Sequence, residues 1–137
     1  MASMSEGEAD VFLRETRIAK LAYITTSGAP TIVPIWYEWD GAAARMFTSR
    51  KSPKVRQLVS DPRAALNVEE PLGVKERWVT LEGQITFENE RTIELLMRLA
   101  RRYYAGPQAE QAIVSWGANP EMWVTLVLTP ARIRSSG

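Results

Sequence analysis

Thr31-Ile32-Val33-Pro34-Ile35-Trp36-Tyr37-Glu38-Trp39-Asp40-Gly41 is the stretch that decides the fold. Its β-branched and aromatic residues suit a pleated, half-buried strand. Asp40-Gly41 is a strong hairpin signal, because a tight reversing turn needs residues that tolerate positive φ. The chain then returns through Arg45 to Ser49 as the next strand. Pro34 sits inside the run and has no N–H to give a ladder, so the strand has an edge, a bulge or an open side there. Just upstream, Ile18 to Thr25 reads as a strand that reverses at Thr26-Ser27-Gly28-Ala29, with Gly28 as the positive-φ residue. Strands joined by such short turns run antiparallel.

The pattern continues outward from this hairpin. Ser5-Glu6-Gly7-Glu8 is a capping box. The helix behind it shows Phe12, Leu13 and Thr16 on one side and is expected to end near Arg17. Ser52-Pro53 opens a short helix, with serine as cap and proline at the first helical position. Val55, Leu58 and Val59 form its apolar face, and Asp61-Pro62 stops it. Arg63 to Glu69 is a fourth strand, Pro71-Leu72-Gly73 a loop, and Arg77 to Phe87 a long fifth strand in which Gly83 marks a bulge or bend. Glu90 to Tyr104 reads as an amphipathic helix with Ile93, Leu96, Met97 and Ala100 inward. Gly106-Pro107 breaks it, and Gln108 to Trp116 forms another short helix. Met122 to Leu128 is the last strand, closed by Pro130. A parallel sheet would need helical crossovers between successive strands, and these are missing. The expectation is a mainly β domain over residues 1–137, a six-stranded antiparallel barrel with flanking helices.

Composition narrows the chemistry. The chain has no cysteine and no histidine. That removes thiolate nucleophiles, the Ser-His-Asp triad, and the commonest metal ligands. No metal site and no catalytic side chain is expected, so chemistry falls to a bound cofactor. A net charge of +1 argues against general attraction to nucleic acid or a membrane surface. No apolar run nears the roughly 20 residues of a membrane span. The N-terminus lacks the basic-then-apolar pattern of a signal peptide, so a cytoplasmic location is expected.

Positive charge is instead local. Phe47-Thr48-Ser49-Arg50-Lys51-Ser52-Pro53-Lys54-Val55-Arg56 puts four cations and three hydroxyls where a strand meets a helix start. The first turn of a helix has unpaired N–H groups and a partial positive charge, which suits an anion. Cations there are unfavourable unless an anion sits among them. Thr48, Ser49, Arg50, Lys51, Ser52 and Lys54 are therefore candidate phosphate ligands. From these residues alone the anion could be a nucleotide, a sugar phosphate or an RNA backbone, and a plain solvated loop is the alternative. At Val33-Pro34-Ile35-Trp36 the interrupted ladder leaves backbone groups free to meet the polar edge of a flat heterocycle; a bulged core strand is the alternative. Antiparallel pairing in the hairpin would set the Pro34 and Ser49 regions along one groove. Trp36, Tyr37, Trp39, Trp78, Tyr103, Tyr104, Trp116 and Trp123 are mostly expected in the core or an interface, with Trp78 nearer the site.

Taken together, the segments resemble the pyridoxamine 5′-phosphate oxidase-like superfamily, and within it the small bacterial flavin and deazaflavin oxidoreductases. The resemblance lies in Leu21-Ala22-Tyr23-Ile24-Thr25 with Gly28-Ala29-Pro30; Val33-Pro34-Ile35-Trp36; Phe47-Thr48-Ser49; Ser52-Pro53-Lys54 with Arg56; Asp61-Pro62-Arg63-Ala64-Ala65-Leu66; Val79-Thr80-Leu81-Glu82-Gly83; and Ala100-Arg101-Arg102-Tyr103-Tyr104. These occur in the family's order over nearly the whole chain. The resemblance implies a split-barrel homodimer with two cofactor sites at its interface, binding FMN or the deazaflavin F420 and passing hydride to a small organic acceptor. A non-catalytic flavin carrier or sensor is the alternative. By the same resemblance Val33, Pro34, Ile35 and Trp36 lie along the ring. Thr48, Ser49, Ser52 and Lys54 take the phosphate, with Arg50, Lys51 and Arg56 nearby. Trp78 stands where a polar residue often touches the ring and offers stacking in its place. Val33 and Pro34 occupy the region where the oxidase proper carries a phosphate-binding arginine. That arginine has no match here, nor do the oxidase's substrate-binding His and Arg, so pyridoxal phosphate synthesis is not expected.

Overall fold

A computed structural model describes residues 2–137. Seven antiparallel strands form one curled sheet, a half-barrel, in the order β2-β1-β5-β6-β7-β4-β3. The elements along the chain are α1 (Glu6–Arg14), β1 (Ala19–Ile24), β2 (Pro30–Ile35), β3 (Glu38–Trp39), β4 (Ala44–Ser49), α2 (Pro53–Ser60), β5 (Arg63–Glu69), β6 (Trp78–Glu88), α3 (Thr92–Tyr103), α4 (Gly106–Gly117) and β7 (Trp123–Ser136).

The mainly β antiparallel class matches the expectation, while the strand count is seven because the decisive stretch is two strands. β2 pairs with β1 and forms one edge of the sheet, whereas β3 pairs with β4 and forms the other. Trp36 and Tyr37 carry the chain between the two edges. Buried anchors hold this crossing. The Tyr37 hydroxyl donates to the Leu13 carbonyl at 2.8 Å, and the Trp39 indole N–H donates to Asp10 at 2.9 Å. Pro34 lies on an edge strand opposite Lys20, which is where a residue without an N–H is tolerated.

Inward residues alternate along the strands, as a period of two requires. Ala19, Leu21 and Tyr23 of β1, Ala44, Met46 and Thr48 of β4, and Val124, Leu126 and Leu128 of β7 are all buried. Helix α1 adds Phe12 and Leu13 to the same core, and α2 adds Leu58. The Ser5 capping box forms in both directions, with Glu8 N–H donating to Ser5 and Ser5 N–H donating to Glu8. Helix α1 ends three residues earlier than the sequence suggests, because Glu15 is already extended.

Two further expectations are corrected. Strand β7 does not close at Pro130 but runs on to Ser136. A bulge absorbs the proline: Gly83 faces Pro130, Glu82 faces Arg132, and Ala131 is left over. Glycine is required there, since a Cβ at position 83 would lie 2.4 Å from the Thr129 carbonyl oxygen. Helix α3 starts at Thr92 and buries Leu95, Leu96, Leu99 and Ala100, so its inner face is rotated away from Ile93 and Met97. Its contact is the outer side of β4 and β7, where the Thr92 and Thr125 hydroxyls bond at 2.8 Å.

Candidate functional site: a hydroxyl and lysine cradle between β4 and α2

Strand β4 delivers Thr48 with its side chain inward and Ser49 outward, and the chain turns at once into α2. Pro53 sets the first helical residue. Lys54 follows, half-buried, and folds back over the turn. Its ammonium donates to Thr48 Oγ1 at 3.0 Å and to Ser52 Oγ at 3.4 Å. Among the described residues no carboxylate lies within ion-pair distance of it. Burial pushes its pKa down. Ser52 does not cap α2 through its side chain, contrary to the sequence reading, because its hydroxyl is turned to Lys54. Ser49 accepts from the Lys51 backbone N–H at 3.2 Å and shapes the loop.

Thr48, Ser52 and Lys54 are thus brought into contact, with Ser49 beside them. Arg50 is turned elsewhere. Its backbone N–H donates to the Met122 carbonyl at 2.8 Å, its Nε to the Glu121 carbonyl at 2.9 Å, and its Nη2 to Asn89 Oδ1. Lys51 is exposed.

Strand β2 is not the ladder partner of β4, so no hairpin groove joins Pro34 to Ser49. The link is made by Trp36 instead, whose ring meets Phe47 of β4 at 6.4 Å. Val33 and Ile35 pack against the core, leaving Ile32 and Pro34 exposed along the edge. Trp36 stacks on Tyr103 at 5.0 Å with the rings 5° from parallel, and Tyr104 stands edge-on to it at 4.8 Å. Trp116 and Trp123 complete a half-buried aromatic group around Phe47. The aromatics stand out in the sequence but their convergence does not, because it depends on α3 and α4 returning over β4.

Trp78 is far from the cradle within one chain. It pairs with Ser136 at one end of β7, whereas Ser49 pairs with Trp123 at the other. Trp78 lines a groove of about 950 Å³ with Trp39, Asp10, Arg132 and Arg134. Asn89 and Glu121, the partners of Arg50, were not anticipated: no spacing rule links positions 39 and 71 residues away.

A curled antiparallel half-barrel with flanking helices defines the class of split-barrel proteins. The family model for pyridoxamine 5′-phosphate oxidase matches residues 5–135, and the chain belongs to that family. Solved structures agree on the fold. An F420 reductase superposes with a TM-score of 0.74 at 22% identity, covering 90% of this chain and 94% of its own. A conserved hypothetical protein of Mycobacterium tuberculosis gives 0.74 at 27% identity, covering 96% and 84%. A FAD-binding protein of Mesorhizobium loti gives 0.72 at 17% identity, covering 98% and 95%. No curated protein matches the chain. Among the described residues no helix is long and apolar enough to cross a membrane.

Proposed function

We propose that the chain binds a phosphate-bearing flavin-type cofactor, FMN or F420, and acts as an oxidoreductase toward a small organic acceptor. The observation that carries this reading is Lys54. A half-buried ammonium that donates to two hydroxyls has no carboxylate within ion-pair distance among the described residues, and its desolvation is offset when an anion arrives. Thr48, Ser52 and Lys54 stand together where α2 begins, so the donor set fits a phosphate monoester or diester. Similarity to an F420 reductase and a FAD-binding protein supports a flavin-type ligand.

The cofactor supplies the hydride chemistry, since the chain has neither histidine nor cysteine to provide acid–base or thiol chemistry. The protein's part is to hold the phosphate, orient the ring and exclude water. The exposed edge at Ile32 and Pro34, with Trp36 at its end, suits the flat face of a ring.

A homodimer completes the reading. Trp78, remote from the cradle in its own chain, joins the site from a second copy. The outward face of β1 and β5 offers small residues, Ala22 and Ala65, beside Ile24. Fluorescence titration of the purified protein with FMN and with F420 tests the proposal. Micromolar binding of one of them is the expected result; binding of neither overturns it. Turnover with a reductant and a quinone or activated alkene separates an enzyme from a carrier.

A further inference from the structure

Arg50 sits among the candidate phosphate ligands in sequence, yet its side chain is committed elsewhere. Three bonds leave this one residue for two other parts of the fold. Its N–H and Nε reach the carbonyls of Met122 and Glu121, in the turn between α4 and β7. Its Nη2 reaches the side chain of Asn89, in the turn between β6 and α3. A guanidinium presents its donors in a rigid planar fork, so two fixed acceptors fix its plane. Its neighbours in the loop belong to the cradle: Ser49, just before it, accepts from the Lys51 N–H, and Ser52, two residues on, meets Lys54. Apart from the bonds of Arg50, the three residues between β4 and α2 are held by short local bonds, among them the Ser52 N–H to the Ser49 carbonyl at 3.0 Å.

We propose that Arg50 is a positioning residue, which holds loop 49–52 in its phosphate-ready form by tying it to Asn89 and to residues 121–122, and does not itself bind the phosphate. The inference rests on the cofactor reading for its consequence but not for its geometry. A clamp lowers the entropy that the loop loses when the ligand binds, so losing it weakens binding without removing any ligand contact.

Asn89 provides the decisive variant. It is exposed and neutral, and its replacement by Ala removes an anchor of Arg50 without altering charge near the ligand. Hydrogen exchange on the ligand-free protein reads the clamp directly. The Arg50 amide is expected to exchange at least tenfold faster in Asn89→Ala and in Arg50→Ala than in the wild type. Unchanged protection overturns the proposal, whether or not any cofactor binds.

The second measurement uses whichever of FMN and F420 binds, against the corresponding phosphate-free riboflavin or deazariboflavin. Both variants are expected to weaken the phosphate-bearing ligand about three- to tenfold, to leave the phosphate-free one unchanged, and to show no further loss when combined. A general structural defect would weaken both ligands alike, which contradicts the proposal. A much larger loss in Arg50→Ala than in Asn89→Ala, with a weaker salt dependence, makes Arg50 a direct phosphate ligand and also overturns it. Failure of the wild type to bind either cofactor removes the functional reading and leaves the exchange experiment to judge the clamp.

Discussion

Arg17 and Arg77 converge on Glu70, whereas Lys54 converges with Thr48 and Ser52 on nothing negative. In the first cluster the Arg17 Nε donates to Glu70 at 2.6 Å and the Arg77 Nη2 donates to its other oxygen at 2.8 Å. The Arg17 guanidinium also lies over the Phe12 ring, 3.7 Å from its centroid. Glu70 and Arg17 are each about one-tenth exposed, and Glu15, 3.4 Å from Arg17, supplies the second negative charge. In the second cluster a half-buried cation donates to two hydroxyls and, among the described residues, has no carboxylate within ion-pair distance. The first arrangement belongs to the fold; the second is complete only with a ligand. The contrast separates cations that stabilise the protein from a cation poised for binding.

The largest effect is expected at Lys54. Lys54→Met should weaken the phosphate-bearing cofactor about 100-fold, which corresponds to about 2.7 kcal/mol. Stability of the ligand-free variant in urea should be equal to or above that of the wild type, since an uncompensated ammonium is removed. Glu70→Gln should do the opposite. Breaking a largely buried ion pair leaves arginines uncompensated and should cost about 2 kcal/mol of stability in urea denaturation, somewhat below the full range because Arg77 is partly exposed. Its cofactor affinity should not change. If Lys54→Met destabilises the protein as much as Glu70→Gln, the two clusters are alike and the contrast fails.

Thr48→Val keeps the shape of a buried side chain and removes one of the hydroxyls on Lys54. About a tenfold loss of affinity is expected, or about 1.4 kcal/mol, measured by the same titration. The pH dependence is the smallest effect; stability rises with pH at both clusters, but in different pH windows. The hydrogen bonds from Arg17 and Arg77 hold the Glu70 carboxyl below its ordinary 4.5. Its contribution to stability is therefore complete above that value and is lost as pH falls through the lower, folded-state pKa. Burial holds Lys54 below its ordinary 10.5. The unfolded chain then binds more protons in the window between the lowered value and 10.5, so stability of the ligand-free protein should rise with pH there. The rise should be absent in Lys54→Met, and the acid-side loss should be absent in Glu70→Gln; urea titrations across pH check both.

Much of this was legible in the residues. Gly28 at a turn, Gly83 at a bulge, Asp40-Gly41 at a hairpin and Ser5 at a helix start each have a local cause, and each stands in the structure as its local chemistry requires. The split of residues 31–39 into two edge strands was not legible, because the break at Trp36-Tyr37 is imposed by contacts to Leu13 and Tyr103 from distant elements. Nor was the extension of β7 past Pro130, which depends on Gly83 opposite it. At the candidate site the grouping of Thr48, Ser52 and Lys54 follows from short sequence spacing. The diversion of Arg50 to Asn89 and Glu121, and the distance of Trp78, are set by sheet topology alone.

The most direct test is a crystal structure of the protein with its bound FMN or F420. The phosphate is expected within hydrogen-bond distance of Lys54 Nζ and the hydroxyls of Thr48 and Ser52, at the first turn of α2. A phosphate lodged elsewhere, with Lys54 still bonded only to those two hydroxyls, would contradict the account.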